Sequence, residues 1–193
     1  LILFFALAMV ATACSSAAVP CDEVEITTGE NGLPDLDGCE FTFAVENAYL
    51  PFNYIDAETG EAMGWDYDVF NYMGELMNFT PVYVPTAWDG MIQATADGQF
   101  MIAGDGITIT AERDEIVDFS DGYINLAQRV LVASGNTEIT SIEDLKSGDY
   151  TVATQKGTTN YEFAVAALGE DKVKAFDDFN FAIQAVISGD ADA

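Results

Sequence analysis

The 193-residue sequence contains no histidine and only six basic residues, against 33 aspartates and glutamates. The absence of histidine excludes Ser-His-Asp and Cys-His catalysis and removes the commonest zinc ligand. Because six cations neutralise few phosphates, a formal net charge of -27 argues against nucleic acid as a partner and against an anionic membrane surface. Any chemistry would depend on Asp, Glu, Lys, Tyr or Ser side chains.

The residues that are abundant indicate a folded chain. Half of the sequence is hydrophobic and 23 residues are aromatic, whereas a disordered acidic chain would be poor in aromatic residues. A length of 193 residues is enough for one large domain or two small ones, each with a buried core.

Residues 1–13 are predicted to be the remnant of a signal peptide. Their apolar run is too short to span a bilayer, has the length of a signal-peptide core and is followed by small residues. Cys14, which follows Ala11-Thr12-Ala13, resembles the lipid-modified cysteine of exported lipoproteins, and this resemblance implies a lipid anchor. Ordinary signal cleavage nearby is the alternative. Both interpretations place the protein outside the cytoplasm, in the periplasm or at the cell surface.

Cys21 and Cys39 form an even pair in the exported chain, and an oxidising compartment favours a disulfide between them. Such a bridge would stabilise the fold by about 3 kcal/mol by restricting the unfolded chain. Two free thiols are the alternative, and a metal site is not expected from two thiols without histidine. We interpret residues 14–40 as a lipoprotein tether followed by an ordered cap.

From Phe41 onwards apolar strands alternate with helical patterns, which predicts an α/β fold with mixed, mostly parallel sheets flanked by helices. Residues 41–129 form a first unit, and residues 130–193 form a second unit that begins with a buried strand, Val130–Val132. Thr159–Glu162 predicts a capping box at the start of a helix. We expect both units to be incomplete, the first lacking a C-terminal return and the second lacking a strand.

Polar loops lie near the ends of the predicted strands, where open α/β sheets bind ligands. The candidate binding residues in and beside these loops are Glu46, Tyr49, Trp88, Asp105, Gly106, Thr108, Arg113, Gln155, Thr158 and Thr159.

Several of these residues suit an anionic group. Arg113 presents a rigid fork that matches a carboxylate bidentately. Thr108 adds a hydroxyl, and Gly106 lets the backbone approach a ligand closely. The backbone N–H groups of Thr158 and Thr159, at a helix start, can also face an anion. A surface ion pair is the simpler interpretation of Arg113, and a helix cap that of Thr159.

Other residues suit a cation or a flat side chain. Tyr49 and Trp88 supply aromatic walls, and Glu46 and Asp105 supply carboxylates for an ammonium or polar group. Alternatively, the two aromatic residues belong to the core or its rim, and Asp105 caps a turn. Convergence of both sets on one cleft favours a site for a small zwitterion.

The sequence motifs resemble those of the family 3 extracellular solute-binding proteins, the polar amino-acid receptors of ABC importers. The resemblance covers about residues 41–193, and the Gly106–Arg113 run is its most specific part. The other matching segments are Tyr49-x-Pro51-Phe52, Gly64-Trp65-Asp66-Tyr67-Asp68, Trp88 with Gly90, Val117–Tyr123, Ser141–Leu145, Gly157-Thr158-Thr159 and Gly189–Ala193.

This resemblance implies two lobes that are joined by a hinge of two crossing strands and close on a ligand. It implies that Arg113 binds the α-carboxylate of a free amino acid, with help from Thr108 and the backbone of Thr159. The carbonyl of Gly106 would accept from the α-amino group. The acid that holds this amino group in the family would lie beyond residue 193.

The resemblance also implies how the ligand is selected. Tyr49 and Trp88 would sandwich its side chain, and Glu46 and Gln155 would help to choose it, with polar ligands favoured. The expected partners are a free amino acid and the permease subunits of an ABC importer. No cofactor, metal or catalytic residue is expected.

Two other functions stay open at this stage. A buried Glu46 with a raised pKa could act as an acid in a periplasmic dehydratase of cyclic acids on the same fold. The chain could also be the ligand-sensing module of a larger protein.

Overall fold

The computed structural model describes residues 19–193. The predicted signal peptide and the predicted lipidation of Cys14 lie outside these residues. Within the described part of the chain, no helix combines the length and apolarity that a membrane span requires.

The first unit is built around one parallel sheet. A 3-10 helix, Cys21–Glu23, is followed by β1 (Thr27–Thr28), β2 (Pro34–Asp35), β3 (Cys39–Val45), β4 (Ala48–Tyr49), β5 (Asn53–Ile55), β6 (Ala62–Met63), α1 (Trp65–Met77), β7 (Phe79–Pro85), α2 (Met91–Ala96), β8 (Ile102–Ala103) and α3 (Ala111–Asp114). The main sheet has the order β7-β3-β8, with all strands parallel. Of two smaller antiparallel sheets, one pairs β1 with β2, and the other has the order β4-β5-β6.

The central position of β3 explains its apolar sequence. Phe43, Ala44 and Val45 are fully buried, as expected for a strand with neighbours on both sides and covered faces. The ring of Phe43 stacks on that of Phe70 from α1, with centroids 4.3 Å apart. This packing fixes the carboxyl end of β3, from which the candidate site begins.

Cys21 and Cys39 are joined by a disulfide with Cα atoms 5.0 Å apart, which confirms the predicted pairing. Both residues are buried, and Leu36 packs in the same apolar cluster. The bridge therefore ties the N-terminal 3-10 helix to the first residue of β3.

Replacement of both cysteines by alanine is expected to lower the free energy of unfolding by about 3 kcal/mol, because the unfolded chain loses a covalent restraint. Urea unfolding under oxidising conditions measures this difference. Cys14→Ser is the control, since it leaves the bridge intact and is expected to leave the transition unchanged. Equal stability of the double variant and the parent chain would contradict the prediction.

The second unit contains α4 (Ile142–Ser147), β9 (Val152–Gln155), α5 (Thr159–Leu168), a 3-10 helix (Glu170–Lys172), β10 (Val173–Phe176) and α6 (Phe179–Ser188). β9 and β10 pair in parallel. On the other side of β9, the Ala153 N–H donates to the Ala193 carbonyl at 2.7 Å. Together with the parallel sheet of the first unit, this confirms the predicted α/β class.

The segment that connects the two units, residues 115–141 (the crossing segment), contains neither helix nor strand. The prediction of a buried strand at Val130–Val132 is therefore wrong, and Val130 and Leu131 are 44% and 56% exposed. An apolar run does not supply a strand partner, and β9 is already flanked by β10 and by the last residues of the chain. Residues 19–193 cross between the units once, so the two-strand hinge and the boundary at residue 129 stay predictions.

Candidate functional site

Predicted site residues meet where the two units face each other. The carboxyl ends of β3 and β9 and the residues just after β8 bring Glu46, Gln155 and Asp105 to one small cavity, as the rule for parallel sheets predicts. The cavity has a volume of about 40 Å³ and is lined by Glu46, Tyr49, Trp88, Asp105, Gln155, Thr158, Asn160 and Phe179. Six of these eight were predicted as binding residues. Asn160 and Phe179 were missed, although Phe179 begins α6 three residues after the end of β10 and the same rule could have found it.

The two units touch directly around this cavity. Gln155 Nε2 donates to Glu46 Oε1 at 2.5 Å, and the indole N–H of Trp88 donates to the Gly157 carbonyl at 3.1 Å. The rings of Tyr49 and Phe179 meet edge to face, with centroids 5.7 Å apart. A cavity of this size has room for about one water molecule. A larger ligand therefore enters only when the units move apart.

Arg113 is outside the cavity lining, and a short helix holds it between the two units. The Thr110 hydroxyl caps α3 by accepting from the backbone N–H of Arg113 at 3.2 Å. The guanidinium donates to the carbonyls of Thr108 at 2.9 Å and Gly157 at 3.2 Å. It also lies 5.1 Å from the centre of the Trp88 ring, within the range of a cation–π contact.

The electrostatic state of Arg113 differs from that of a surface ion pair. Burial lowers the pKa of Arg113 below its ordinary value, but a guanidinium stays charged in proteins. No carboxylate of residues 19–193 lies within 4.0 Å of it. The negative charges of Glu162 and Glu112 oppose this lowering of the pKa. Two N–H groups of the guanidinium donate to neutral backbone carbonyls, one from each unit, and an incoming anion can replace these acceptors.

A network of buried acids adjoins the cavity through Asp105, which lines it. Asn53 Nδ2 donates to Asp66 Oδ2 at 2.8 Å and to Asp105 Oδ1 at 2.5 Å. Burial, reinforced by Glu46 and Asp66, raises the pKa of Asp105 to about 7. Burial also raises the pKa of Glu46, against the opposing effect of the hydrogen bond from Gln155. Sequence reasoning placed Glu46 and Asp105 in the site but assigned no role to Asn53 or Asp66.

Gly106 is the residue whose small size the site requires. It has a φ of 56°, and a Cβ there would lie 3.0 Å from the Tyr49 ring and 3.3 Å from the Phe52 ring. Both the backbone conformation and the close rings therefore favour glycine. Thr108 contributes its carbonyl to Arg113, whereas the sequence suggested its hydroxyl.

The helix start near the cavity is shifted by one residue from its prediction. Thr158 is the N-cap of α5, and its hydroxyl accepts from the N–H of Tyr161. The predicted capping box of Thr159 with Glu162 is therefore wrong. The Thr159 hydroxyl accepts from Gln128 of the crossing segment at 3.3 Å, and Thr159 lies outside the cavity lining.

A larger groove of about 410 Å³ lies in the second unit, between residues 128–132 and helices α5 and α6. Its lining is mostly apolar and includes none of the predicted site residues, so it does not match a zwitterion. Within the described part of the chain, no group of three or more His, Cys, Asp or Glu residues is placed to hold a metal ion.

Two facing α/β units with polar loops at their strand ends define a protein that binds a small ligand in a cleft. Residues 41–190 match the bacterial extracellular solute-binding proteins, family 3. The chain belongs to this family, which confirms the resemblance seen in the motifs.

Two curated relatives with similar sequences differ in function, since one is a binding protein and the other an enzyme. It is 31% identical over 138 residues to a probable histidine-binding protein of Neisseria gonorrhoeae, covering 66% of this chain and 51% of that protein. It is 30% identical over 150 residues to cyclohexadienyl dehydratase of Pseudomonas aeruginosa, covering 77% and 56%. The chain therefore spans little more than half the length of these relatives.

Solved structures agree with this family membership. An ancestral amino acid-binding protein, AncCDT-1, described as a precursor of cyclohexadienyl dehydratase, has a TM-score of 0.74 and 38% identity, covering 79% of this chain and 67% of that chain. An ancestral arginine-binding protein bound to arginine has a TM-score of 0.70 and 35% identity, with the same coverage.

Proposed function

We propose that the protein is the extracytoplasmic substrate-binding component of an amino-acid ABC importer and holds a free amino acid between its two units. The observation that carries this proposal is Arg113, a charged guanidinium in the interunit cleft whose donors meet only backbone carbonyls among residues 19–193. Such a group exchanges these neutral acceptors for a carboxylate with a gain in hydrogen-bond strength.

The ligand α-carboxylate would replace the Gly157 carbonyl as the partner of Arg113. The N-terminus of the ten-residue helix α5, capped by Thr158, lies in the same cleft and would add its partial positive charge. The Gly106 carbonyl would accept from the α-ammonium. Trp88 and Tyr49 would form the walls, since both line the cavity from the first unit.

We infer that the ligand side chain is cationic. Glu46 and Asp105 both line the cavity, and Asp178 adds negative potential at Glu46. The family membership is compatible with this class, because the relatives include a probable histidine-binding protein and a structure bound to arginine. The proposal narrows the polar class expected from the sequence to arginine, lysine or histidine.

Delivery of the amino acid would require permease subunits, which the mature protein would meet in the periplasm or at the cell surface. The family's description as extracellular supports this location. Lipidation of Cys14 would tether the protein to the membrane, which mass spectrometry of the mature N-terminus tests.

Intrinsic fluorescence tests ligand capture, because the chain has only two tryptophans. In Trp65→Phe, the remaining Trp88 is expected to change its emission on addition of L-arginine, since its indole N–H loses or alters its bond to Gly157. Trp88→Phe is the matched variant. Its remaining Trp65 lies on α1, 41% exposed and stacked on Tyr123 outside the cavity. A saturable signal only from Trp88 supports the site, whereas calorimetric binding without any change at Trp88 contradicts its place there.

Glu46→Gln is expected to weaken the binding of L-arginine by about 10- to 100-fold and that of L-glutamine much less, because a neutral amide accepts a hydrogen bond from a guanidinium but forms no ion pair with it. Calorimetry with both amino acids measures this change in selectivity. Glu61→Gln, a change of an exposed acid just before β6, is the control and is expected to leave both affinities unchanged. Equal losses for the two ligands would contradict the role of Glu46 in selection.

A dehydratase activity is the second candidate, and Glu46 is the observation in its favour. Its half-buried carboxyl group has a raised pKa beside the cavity, as suits a general acid, and one relative is cyclohexadienyl dehydratase. Incubation with a cyclohexadienyl acid separates the candidates: release of water and product supports the enzyme, whereas reversible binding of amino acids without turnover supports the receptor.

A further inference from the structure

We propose that Asp66, Asn53 and Asp105 form a proton-binding cluster beside the ligand cleft, and that capture of a cationic amino acid expels the proton. The inference rests on the proposed function, because Asp105 belongs to the same cleft. It adds a role for Asp66 and Asn53, which act on the ligand through Asp105 and are therefore positioning residues.

The carboxyl groups of Asp66 and Asp105 in this proton-binding cluster both accept hydrogen bonds from the side-chain amide of Asn53. Asn53 is fully buried, and Asp66 and Asp105 are only 1% and 4% exposed. The Asn53 NH2 group uses its donors on both carboxyl groups, and its oxygen accepts from the N–H of Asn47 at 2.7 Å. Both N–H donors of the amide are thus in use, and a neutral amide cannot balance two negative charges.

Asp66 has an oxygen that this arrangement leaves without a partner. Its Oδ1 atom is buried and forms no hydrogen bond with any group of residues 19–193. A buried, unpartnered carboxylate oxygen is costly, and two carboxylates bound to the same nitrogen repel each other. One proton held by the pair removes one of the two charges, so the pair titrates as a unit.

The surroundings offer no compensating cation. Within the described residues, no Lys or Arg forms a salt bridge with either aspartate. The titratable groups that face the pair are all acids or phenols, and they are Glu46 after β3, Tyr49 on β4, Tyr67 on α1, Tyr83 on β7 and Tyr123 in the crossing segment. In agreement with this geometry, burial raises the pKa of Asp66 as well as that of Asp105.

Asp105 connects the proton-binding cluster to the ligand because it contacts both Asn53 and the cavity. One oxygen accepts from Asn53, and the residue also lines the cavity beside Glu46. A ligand cation in that cavity stabilises the ionised form of Asp105, and the proton then leaves to solvent. The ligand's own positive charge takes over the neutralising role of the proton.

The test is calorimetry of the complete protein with L-arginine in buffers of different ionisation enthalpy. We expect release of about half a proton per ligand at pH 7 and an affinity about tenfold weaker at pH 6 than at pH 8. Asp105→Asn is expected to abolish the release and flatten this pH profile, and Asp66→Asn to reduce the release at pH 7. Glu61→Gln is the control that keeps both.

A ligand-free measurement keeps the inference testable where a variant binds weakly. The infrared band of a protonated carboxyl group is expected in the parent protein at pH 6, with a decrease by pH 8 that is absent from Asp105→Asn. Arginine binding without proton release, or release unchanged in Asp105→Asn, would overturn this inference and leave the receptor proposal standing. Failure of arginine, lysine, histidine and glutamine to bind would overturn both.

Discussion

Replacement of Arg113 by alanine is expected to weaken amino-acid binding by at least about 100-fold, because the ligand carboxylate would then be buried without its charged partner. In the present structure two of the guanidinium's five N–H donors already bond to backbone carbonyls, one from each unit. The substitution also removes the contact with the Trp88 ring. Calorimetry with L-arginine and L-glutamine measures the loss, which should be similar for both since they share the α-carboxylate.

Two further arginine variants make this prediction specific. Arg113→Lys keeps the positive charge but lacks the planar fork, so an intermediate loss is expected. Arg129→Ala removes the other arginine of the chain, which is exposed in the crossing segment, and should leave the affinity unchanged. Affinity retained in Arg113→Ala, with Arg129→Ala as the weaker binder, would exclude the carboxylate assignment.

Local sequence patterns indicate strands and helix starts reliably where the pairing strand or the capping partner is present among residues 19–193. The apolar run Phe41–Val45 is typical of a buried strand, and in the structure it packs on helix α1 and pairs with β7 and β8. Ser141 is a residue type typical of a helix N-cap, and the structure has the complete capping box with Asp144 at the start of α4. Val130–Val132 has the same apolar character but lacks a pairing strand among residues 19–193, and the sequence cannot reveal whether a partner is present.

The residues of the candidate site also divide into those that a general rule predicts and those that depend on one particular contact. Glu46, Asp105 and Gln155 were predictable because they stand at strand ends, a position that one rule identifies. Asn53 and Asp66 were missed as a pair with Asp105 because their roles depend on a shared buried amide. The Asn53 side chain bonds to a residue 52 positions away, and no periodicity encodes that contact. Thr158 and Thr159 differ only in register, so the choice of cap required the structure.

Asp105→Asn is expected to increase the free energy of unfolding above pH 7, which is the opposite of the usual effect of changing a buried polar residue. The ordinary pKa of an aspartate is 3.8, and burial raises that of Asp105 to about 7. Between these values the folded state binds more protons than the unfolded state. The contribution of Asp105 is therefore fully present below about pH 4 and is lost as the pH rises through 7.

The full loss corresponds to about 4 kcal/mol as an upper limit, at about 1.4 kcal/mol per unit of pKa difference. Asparagine keeps an oxygen that accepts from Asn53 but cannot ionise, so the variant avoids this loss. Urea unfolding of both proteins at pH 5 and pH 8 measures the difference, which should favour the variant mainly at pH 8.

Asp56→Asn provides a control of opposite sign. Hydrogen bonds from Thr59 lower the pKa of Asp56 on the turn after β5, so its contribution is present at high pH and is lost as the pH falls. Parallel stability profiles for Asp105→Asn and the parent protein would contradict the raised pKa. An Asp105→Asn variant that is more stable at pH 8 but binds arginine weakly would show that the fold keeps this carboxylate for the ligand, at a cost to its own stability.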